Sequence, residues 1–377
     1  MRSVWPLAAA AVLALIGPSA RAQNEVKPKA DVKVEEKAFK SIDGVKLQGQ
    51  FYKTNSTKGK DAPTVLVLHG YGQKTDDAAW DDTAKTLAEF YNVFRFDFRG
   101  HGKSTDIEPS DFWDPKYPTN RQFVTIQPPL KPETKNTIKF TDFKVNYYPM
   151  LVQDLAAARN ELDRMNDANL VNTSNLYIVA AGDMAPLTLF FIASEWLREK
   201  KKPNALQLPP VPFVSPGRPR VANSDAAGED YAGCVFLGPG RPLNTPAALS
   251  YADLKSMVIS NYALKLRNET AMAFIYGAKD PKGAAATSSF LNEVLMANAK
   301  TGPGGTPLLK PDLLFSVKID STALTGVKLL GNNLGTETQL LKFIKDISDK
   351  ERKAKTWLVR EWEKPVYVDV RGFGAIK

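Results

Sequence analysis

The chain has 377 residues, of which 43% are hydrophobic and 24% are charged, a balance typical of a folded globular protein. Its single cysteine, Cys234, excludes intramolecular disulfides and zinc sites built from thiolates, and its two histidines, His69 and His101, exclude histidine-rich metal sites. The net charge of +9 is spread along the chain without a stripe of Arg and Lys, so we expect no nucleic-acid partner.

The N-terminal residues 1–22 have the pattern of a cleaved signal peptide. Arg2 supplies the positive charge, the run from Trp5 to Ile16 is apolar, and Ala20-Arg21-Ala22 forms a small-x-small cleavage site. The apolar run is shorter than the ~20 residues that span a bilayer. We therefore predict export to the periplasm or the extracellular space, with no membrane span after cleavage. Residues 23–36 are polar and are predicted to form a flexible leader.

Hydrophobic patterning predicts an alternation of strands and helices over residues 37–350. The first feature is a hairpin that turns at Asp43-Gly44. Strands are then predicted at 63–69, 93–98, 176–181, 231–237, 271–276 and 313–319, and helices at 76–90, 151–165, 186–198, 284–299 and 337–347. This alternation predicts an α/β domain with a mostly parallel sheet and helices on both faces.

Three segments depart from this alternation. Residues 104–148 are rich in proline and aromatic residues and are predicted to be a lid-like insertion over the sheet edge. Trp113 and its neighbours in this segment suit either core packing or stacking on sugar rings or acyl chains. Residues 200–230 are predicted to be a mobile surface loop. The tail, residues 351–377, is predicted to pack back on the domain.

Three motifs follow predicted strands in a fixed order. They are His69-Gly70-Tyr71-Gly72, the turn DFRGHGKS at 97–104, and the segment GAKDP at 277–281. In this order and in these strand contexts, they resemble motifs of the α/β-hydrolase family. The resemblance implies that the backbone N–H of Tyr71 contributes to an oxyanion hole and that Asp280 is the acid of a catalytic triad.

The resemblance breaks down at the nucleophile. That family places it in a sharp turn between a strand and a helix, flanked by small residues. Here the turn reads Ala181-Gly182-Asp183-Met184-Ala185, which puts Asp183 at the nucleophile position and the Met184 N–H in the oxyanion hole. A register one residue earlier puts Gly182 at the nucleophile position. Neither register offers serine or cysteine.

The family's histidine is missing as well. It normally follows the last strand, here at about residues 320–340, but no histidine occurs after His101. Asn332 or Asn333 would be the stand-ins, and an amide cannot act as a general base near neutral pH. The triad that the resemblance implies is therefore incomplete.

Two functions follow from this pattern. The first is a degenerate hydrolase that keeps a pocket around His69, Gly70 and Gly72 for a small-molecule or polymer ligand, with Asp183 capping the following helix. The alternative is an active hydrolase of an ester-like extracytoplasmic substrate, with Asp183 as nucleophile and His69 as a displaced base. By resemblance, haloalkane dehalogenases and epoxide hydrolases use such an aspartate. Whether the protein is an enzyme thus stays open at this point.

We expect no cofactor and no metal. The glycine-containing loops at 70–72 and 97–104 lack glycines that dinucleotide and phosphate loops require. Asp183, Asp280 and His69 do not have the spacing of a metal-binding motif.

Overall fold

The computed structural model describes residues 31–73, 77–125, 136–200, 213–216, 225–240, 249–259, 264–296, 311–351, 357–360 and 364–376. The predicted signal peptide, most of the predicted leader and most of the predicted 200–230 loop lie outside these ranges. No helix within the described ranges has the length and apolar character needed to cross a membrane.

The strands match the predicted ones closely. They are β1 Val34–Lys40, β2 Lys46–Tyr52, β3 Thr64–Leu68, β4 Asn92–Phe96, β5 Leu176–Ala181, β6 Phe213–Val214, β7 Tyr231–Leu237, β8 Ala271–Gly277, β9 Leu314–Ile319 and β10 Tyr367–Val368. In the described residues, the main sheet has eight strands in the order β1-β2-β4-β3-β5-β7-β8-β9. β1, β2 and β4 pair antiparallel, and the remaining neighbours pair parallel.

The helices alternate with these strands. They are α1 Ala78–Ala88, α2 Pro109–Phe112, α3 Pro118–Phe123, α4 Val152–Asp167, α5 Met184–Leu197, α6 Tyr251–Ile259, α7 Leu264–Glu269, α8 Pro281–Ser289 and α9 Thr336–Asp346. Short π-helical segments extend two of them, at Phe290–Leu295 and Ile347–Glu351.

The core lies on both faces of the sheet, because successive residues of each buried strand point to opposite sides. On β3, for example, Leu66 packs with the core formed by α4, α5 and α6, whereas Val65 and Val67 pack with the core formed by α1 and α9. The continuous apolar pattern of the strands is therefore explained by helices that cover both faces. The predicted mostly parallel sheet with an N-terminal hairpin is confirmed.

A fully buried arginine joins the hairpin, the turn after β4 and helix α4. The guanidinium of Arg99 donates to both carboxylate oxygens of Asp43, at 2.7 and 2.9 Å, and to Asp154 Oδ1 at 2.8 Å. It also donates to the Tyr147 hydroxyl at 2.8 Å. Burial raises the pKa of Asp154 to about 6, although the charge of Arg99 acts in the opposite direction. This network fixes the turn that carries His101.

The described parts of the C-terminal tail contact α4. β10 pairs with β6 in parallel, and the Gln153 side chain bonds both main-chain groups of Val368, at 2.6 Å to the carbonyl and 3.0 Å to the N–H. Val368 and Val370 are buried in the core on that face.

Candidate active site

The loop after β3 begins with a histidine that is held by two backbone groups. His69 is fully buried, its Nε2 accepts the N–H of Phe98 at 3.1 Å, and its Nδ1 lies 2.8 Å from the Gly70 carbonyl. Because Nε2 accepts a hydrogen bond, the proton must sit on Nδ1, which donates to the carbonyl. Burial and the neighbouring His101 lower the pKa of His69 to about 4. His69 is therefore neutral, with both nitrogens bonded.

The second histidine braces the same loop from the turn after β4. His101 Nε2 accepts the N–H of Gly72 at 2.9 Å, and its Nδ1 lies 2.8 Å from the Arg99 carbonyl. Burial lowers the pKa of His101 as well. The two imidazole rings lie 5.2 Å apart. A histidine in this arrangement has no nitrogen left to take a proton from a reacting group unless a backbone bond breaks.

The sharp turn between β5 and α5 has its left-handed residue at Gly182. Gly182 has φ +57°, whereas Asp183 has φ −71° and an ordinary helical conformation. The turn is pinned to the next strand, because the N–H of Gly182 donates to the Leu237 carbonyl at 3.0 Å and its carbonyl accepts the N–H of Gly240 at 2.7 Å. A Cβ on Gly182 would meet no atom within 4 Å, so the glycine faces open space.

The carboxylate of Asp183 contacts the loop after β3. Asp183 Oδ1 accepts the N–H of Tyr71 at 2.9 Å, and the Asp183 carbonyl accepts the hydroxyl of Tyr148. Burial raises the pKa of Asp183, and the hydrogen bond from Tyr71 partly opposes that rise.

The predicted helix cap at Asp183 is wrong. Asp183 stands at the N-cap position of α5, but its side chain makes no capping hydrogen bond to that helix. The reason is geometric: a cap residue normally has extended backbone, and Asp183 is helical, so its carboxylate turns toward Tyr71 instead.

Aromatic side chains from the described part of the 104–148 segment cover this site. The Tyr71 ring lies edge-on to Tyr148 at 5.9 Å, to Phe140 at 6.2 Å and to His101 at 5.4 Å. Trp113 and Tyr148 are buried in the core, so core packing accounts for these two aromatic side chains. The high aromatic content of this segment was the sequence signal for Tyr148, but nothing in the sequence predicted its contact with Asp183.

Asp280 lies at the end of β8 and caps α8. Its Oδ1 accepts the N–H groups of Lys282 at 3.1 Å and Gly283 at 3.0 Å. Its Oδ2 is buried without a hydrogen-bond partner. Asp280 therefore acts as a helix cap, with one oxygen left unpaired.

The loop after β9 reaches the turn at Gly182 with a glycine. A Cβ on Gly326, which has φ +59°, would lie 3.8 Å from the Gly182 nitrogen. Thr325 beside it donates to the Gly238 carbonyl at 3.3 Å. Asn332, in contrast, is exposed and turns its amide to the Lys328 and Leu330 carbonyls, at 2.8 and 2.9 Å. Asn333 is exposed too. Gly326, rather than either asparagine, is thus the residue of this loop that approaches the site.

The remaining predicted site residues lie close to these groups. Gly70 is held by the side chain of Gln73, which accepts its N–H at 3.1 Å. Met184 is the first residue of α5 and is fully buried. Among the described residues, no group of three or more His, Cys, Asp or Glu side chains is placed to hold a metal ion.

No protein-family model and no curated protein sequence matches the chain. Solved structures do. An esterase of Pyrococcus furiosus, Pf2001, aligns over 83% of this chain and 90% of its own, with 14% identity and a TM-score of 0.43. An esterase of Rhizomucor miehei aligns over 85% and 86%, with 12% identity and a TM-score of 0.46. The esterase Est22 aligns over 86% and 83%, with 12% identity and a TM-score of 0.48.

The chain has the α/β-hydrolase fold that its motifs predicted. Its topology has the features of that fold: a mostly parallel sheet with an antiparallel N-terminal edge, helices on both faces, and the three motifs at the carboxyl ends of β3, β4 and β8. Fold alone does not establish activity, which depends on the residues of the site.

Proposed function

We propose that this protein is an exported α/β-hydrolase-fold protein that binds a ligand at the Asp183 site and does not hydrolyse it. The observation that carries the proposal is the hydrogen bond from the Tyr71 N–H to Asp183 Oδ1. In the family this N–H stabilises the oxyanion of the reacting substrate. Here the Asp183 carboxylate of the protein itself accepts the hydrogen bond from that N–H.

The backbone at the turn supports the same conclusion. The family's nucleophile sits at the strained apex between strand and helix, and the left-handed residue here is Gly182. We therefore place the nucleophile position at Gly182 rather than Asp183. In this register, the oxyanion donor after the nucleophile is the N–H of Asp183 and not that of Met184. Glycine has no side chain with which to attack a carbonyl group.

Among the residues that the structure describes, no free proton-transfer group reaches this turn. Gly326 approaches the turn from the loop where the family carries its histidine, and both histidines of this chain are held by backbone groups. The unpaired Oδ2 of Asp280 fits a triad acid that has no histidine to orient. Export rests on the signal-peptide pattern of residues 1–22.

A fluorophosphonate probe, which labels activated serine nucleophiles, tests the loss of hydrolysis. We expect no labelling of the wild type. Gly182→Ser would place a hydroxyl in the open space at the apex, and we expect no labelling there either, since none of the described side chains offers it a free base. An active serine esterase in the same assay serves as the positive control. Rapid labelling of Gly182→Ser would show that a working base remains and would overturn the proposal.

Ligand binding is tested by amide NMR with a panel of non-hydrolysable ester and sugar analogues. The amides of Tyr71, Gly72 and Gly182 should shift with any compound that occupies the site, and Asp183→Ala, which frees the Tyr71 N–H, should change the size of those shifts. If every compound that binds shifts only amides elsewhere, the binding function at this site is wrong.

A further inference from the structure

The loop after β3, residues 69–73, carries the Tyr71 N–H, and titratable side chains of two other loops hold it in place. The Gly72 N–H donates to His101 Nε2, on the turn after β4, at 2.9 Å. The Tyr71 N–H donates to Asp183 Oδ1, on the turn after β5, at 2.9 Å. Both acceptors change when they are protonated. The position of this loop therefore depends on the protonation of its partners.

The histidine contact is the stricter of the two. His101 Nδ1 faces the Arg99 carbonyl at 2.8 Å, so the neutral ring carries its proton on Nδ1 and leaves Nε2 as the acceptor. An imidazolium carries a proton on both nitrogens, which would set a second donor against the Gly72 N–H. Protonation of His101 therefore breaks this hydrogen bond. A protonated Asp183 still accepts through its carbonyl oxygen, but more weakly than the carboxylate does.

The start of the loop depends on a histidine in the same way. His69 Nε2 accepts the Phe98 N–H at 3.1 Å, and protonation of the ring removes this acceptor. Burial lowers the pKa of both His69 and His101, because both rings are held neutral inside the protein. A ring that has left these bonds for solvent regains its ordinary pKa. Acid therefore favours the state of the loop in which the bonds to the histidines are broken.

The charged groups around the two rings do not cancel this effect. Asp97, on the turn after β4, raises the pKa of both histidines, but burial outweighs it. The two rings lie 5.2 Å apart, so a charge on one disfavours a charge on the other. The Asp183 carboxylate faces the hydroxyl-bearing rings of Tyr71 and Tyr148, which carry no charge in acid.

We propose that His69 and His101 form an acid-sensitive latch on the loop 69–73, which holds the Tyr71 N–H on Asp183 at neutral pH and releases it in acid, where it can bind an oxygen atom of the ligand. The latch rests on the proposed function, since it controls access to the ligand site described there. An exported protein meets the pH of its surroundings, so an acidic medium is the signal that opens the site.

Amide hydrogen exchange, followed by NMR between pH 7 and pH 4 without any ligand, tests the latch. After correction for the intrinsic effect of pH on exchange, the protection of the Tyr71 and Gly72 amides should fall about tenfold or more. The Gly182 N–H donates to the Leu237 carbonyl, which does not titrate, so the protection of Gly182 should stay constant. An equal loss at Gly182, or no loss at Gly72, would overturn the proposal. Because no ligand is present, this result is independent of the ligand-binding test of the proposed function.

Glutamine variants identify the responsible groups. The side-chain oxygen of glutamine accepts a hydrogen bond but does not titrate, so His101→Gln should reduce the acid-induced loss of protection at Gly72. The double variant with His69→Gln should abolish it. Arg99, on the same turn, binds Asp154, and burial raises the pKa of Asp154 to about 6. Both variants keep this carboxylate. A loss at Gly72 as large as in the wild type would therefore assign the effect to a carboxylate and contradict the latch.

Discussion

The backbone N–H of Tyr71 and the carboxylate of Asp183 are joined by a hydrogen bond of 2.9 Å across the loops that follow β3 and β5. The two residues are 112 positions apart in the sequence, and the contact forms because both loops end at the same edge of the parallel sheet. The Tyr71 N–H, which α/β hydrolases use to stabilise a substrate oxyanion, therefore donates to a side chain of the protein instead.

Replacing this carboxylate should change how stability depends on pH. Burial raises the folded-state pKa of Asp183, so the folded state holds the proton more tightly than the unfolded state does. The wild type therefore has the full stability of the protonated form at acidic pH and loses part of it as pH rises through the folded pKa. Asparagine does not titrate. We expect the stability of Asp183→Asn relative to wild type to increase as pH rises above the ordinary aspartate pKa of about 4, measured by denaturant unfolding.

The exposed Asp349 provides the control. The hydrogen bond from Lys345 lowers its pKa, so its ionised form is the one favoured by folding. Above the ordinary aspartate pKa of about 4, the stability of Asp349→Asn relative to wild type should therefore not vary with pH, and it should rise only as pH falls below that value. A relative stability of Asp183→Asn that does not vary with pH would contradict the assigned burial of the carboxylate.

Burial lowers the pKa of both histidines, so both should titrate below the usual imidazole range. Burial lowers the pKa of His69 to about 4, below its ordinary value of 6.5. The unfolded chain then takes up protons that the folded protein refuses, so stability is fully present above pH 6.5 and falls as the pH drops toward 4. The free energy of unfolding lost through His69 as the pH drops is at most on the order of 3 kcal/mol. NMR titration of the imidazole signals checks this directly, and a midpoint near 6.5 for His69 would show that its bonds to the backbone are not maintained.

Tyr148→Phe should destabilise the protein by about 1 kcal/mol, the usual net value of one buried hydrogen bond. The hydroxyl donates to the Asp183 carbonyl, and phenylalanine leaves that acceptor without its partner while it keeps the ring packed on Tyr71. Tyr276→Phe, at a buried tyrosine on β8, is the matched control with an expected change near zero. Equal effects of the two substitutions in denaturant unfolding would remove the role we assign to the Tyr148 hydroxyl.

Arg99→Ala should cost about 3–5 kcal/mol, the range found when one partner of a buried ion pair is removed. The substitution leaves the buried carboxylates of Asp43 and Asp154 without their cation. Arg164→Ala removes an exposed arginine that pairs with Glu161 on the same helix side, and it should cost no more than about 0.5 kcal/mol. Thermal and denaturant unfolding measure the loss of unfolding free energy in each variant. Equal losses in the two variants would show that the Arg99 network does not stabilise the protein.

The sequence predicted the fold well because its signals are local. β-branched apolar runs marked the buried strands, and three short motifs marked the ends of β3, β4 and β8. At the turn after β5 the sequence favoured Asp183 at the nucleophile position, because Ala181 and Ala185 flank it, whereas Met184 makes the Gly182 register a poorer fit. Only the backbone angle points to Gly182. Nor could the sequence show that Gly326, rather than Asn332, faces this turn, because that depends on the path of a loop without regular structure.

The most direct test of the central claim is the hydrolysis of 4-nitrophenyl acetate by purified wild-type protein and by Asp183→Asn. We predict that both proteins release 4-nitrophenol at the same rate and that neither shows repeated turnover at a single site, because the described residues bring no nucleophile and no free base together at Gly182. Any residual acceleration of ester hydrolysis that comes from the fold alone would be equal in the wild type and in Asp183→Asn. Saturable turnover by the wild type that is lost in Asp183→Asn would contradict the account and would establish Asp183 as a catalytic nucleophile.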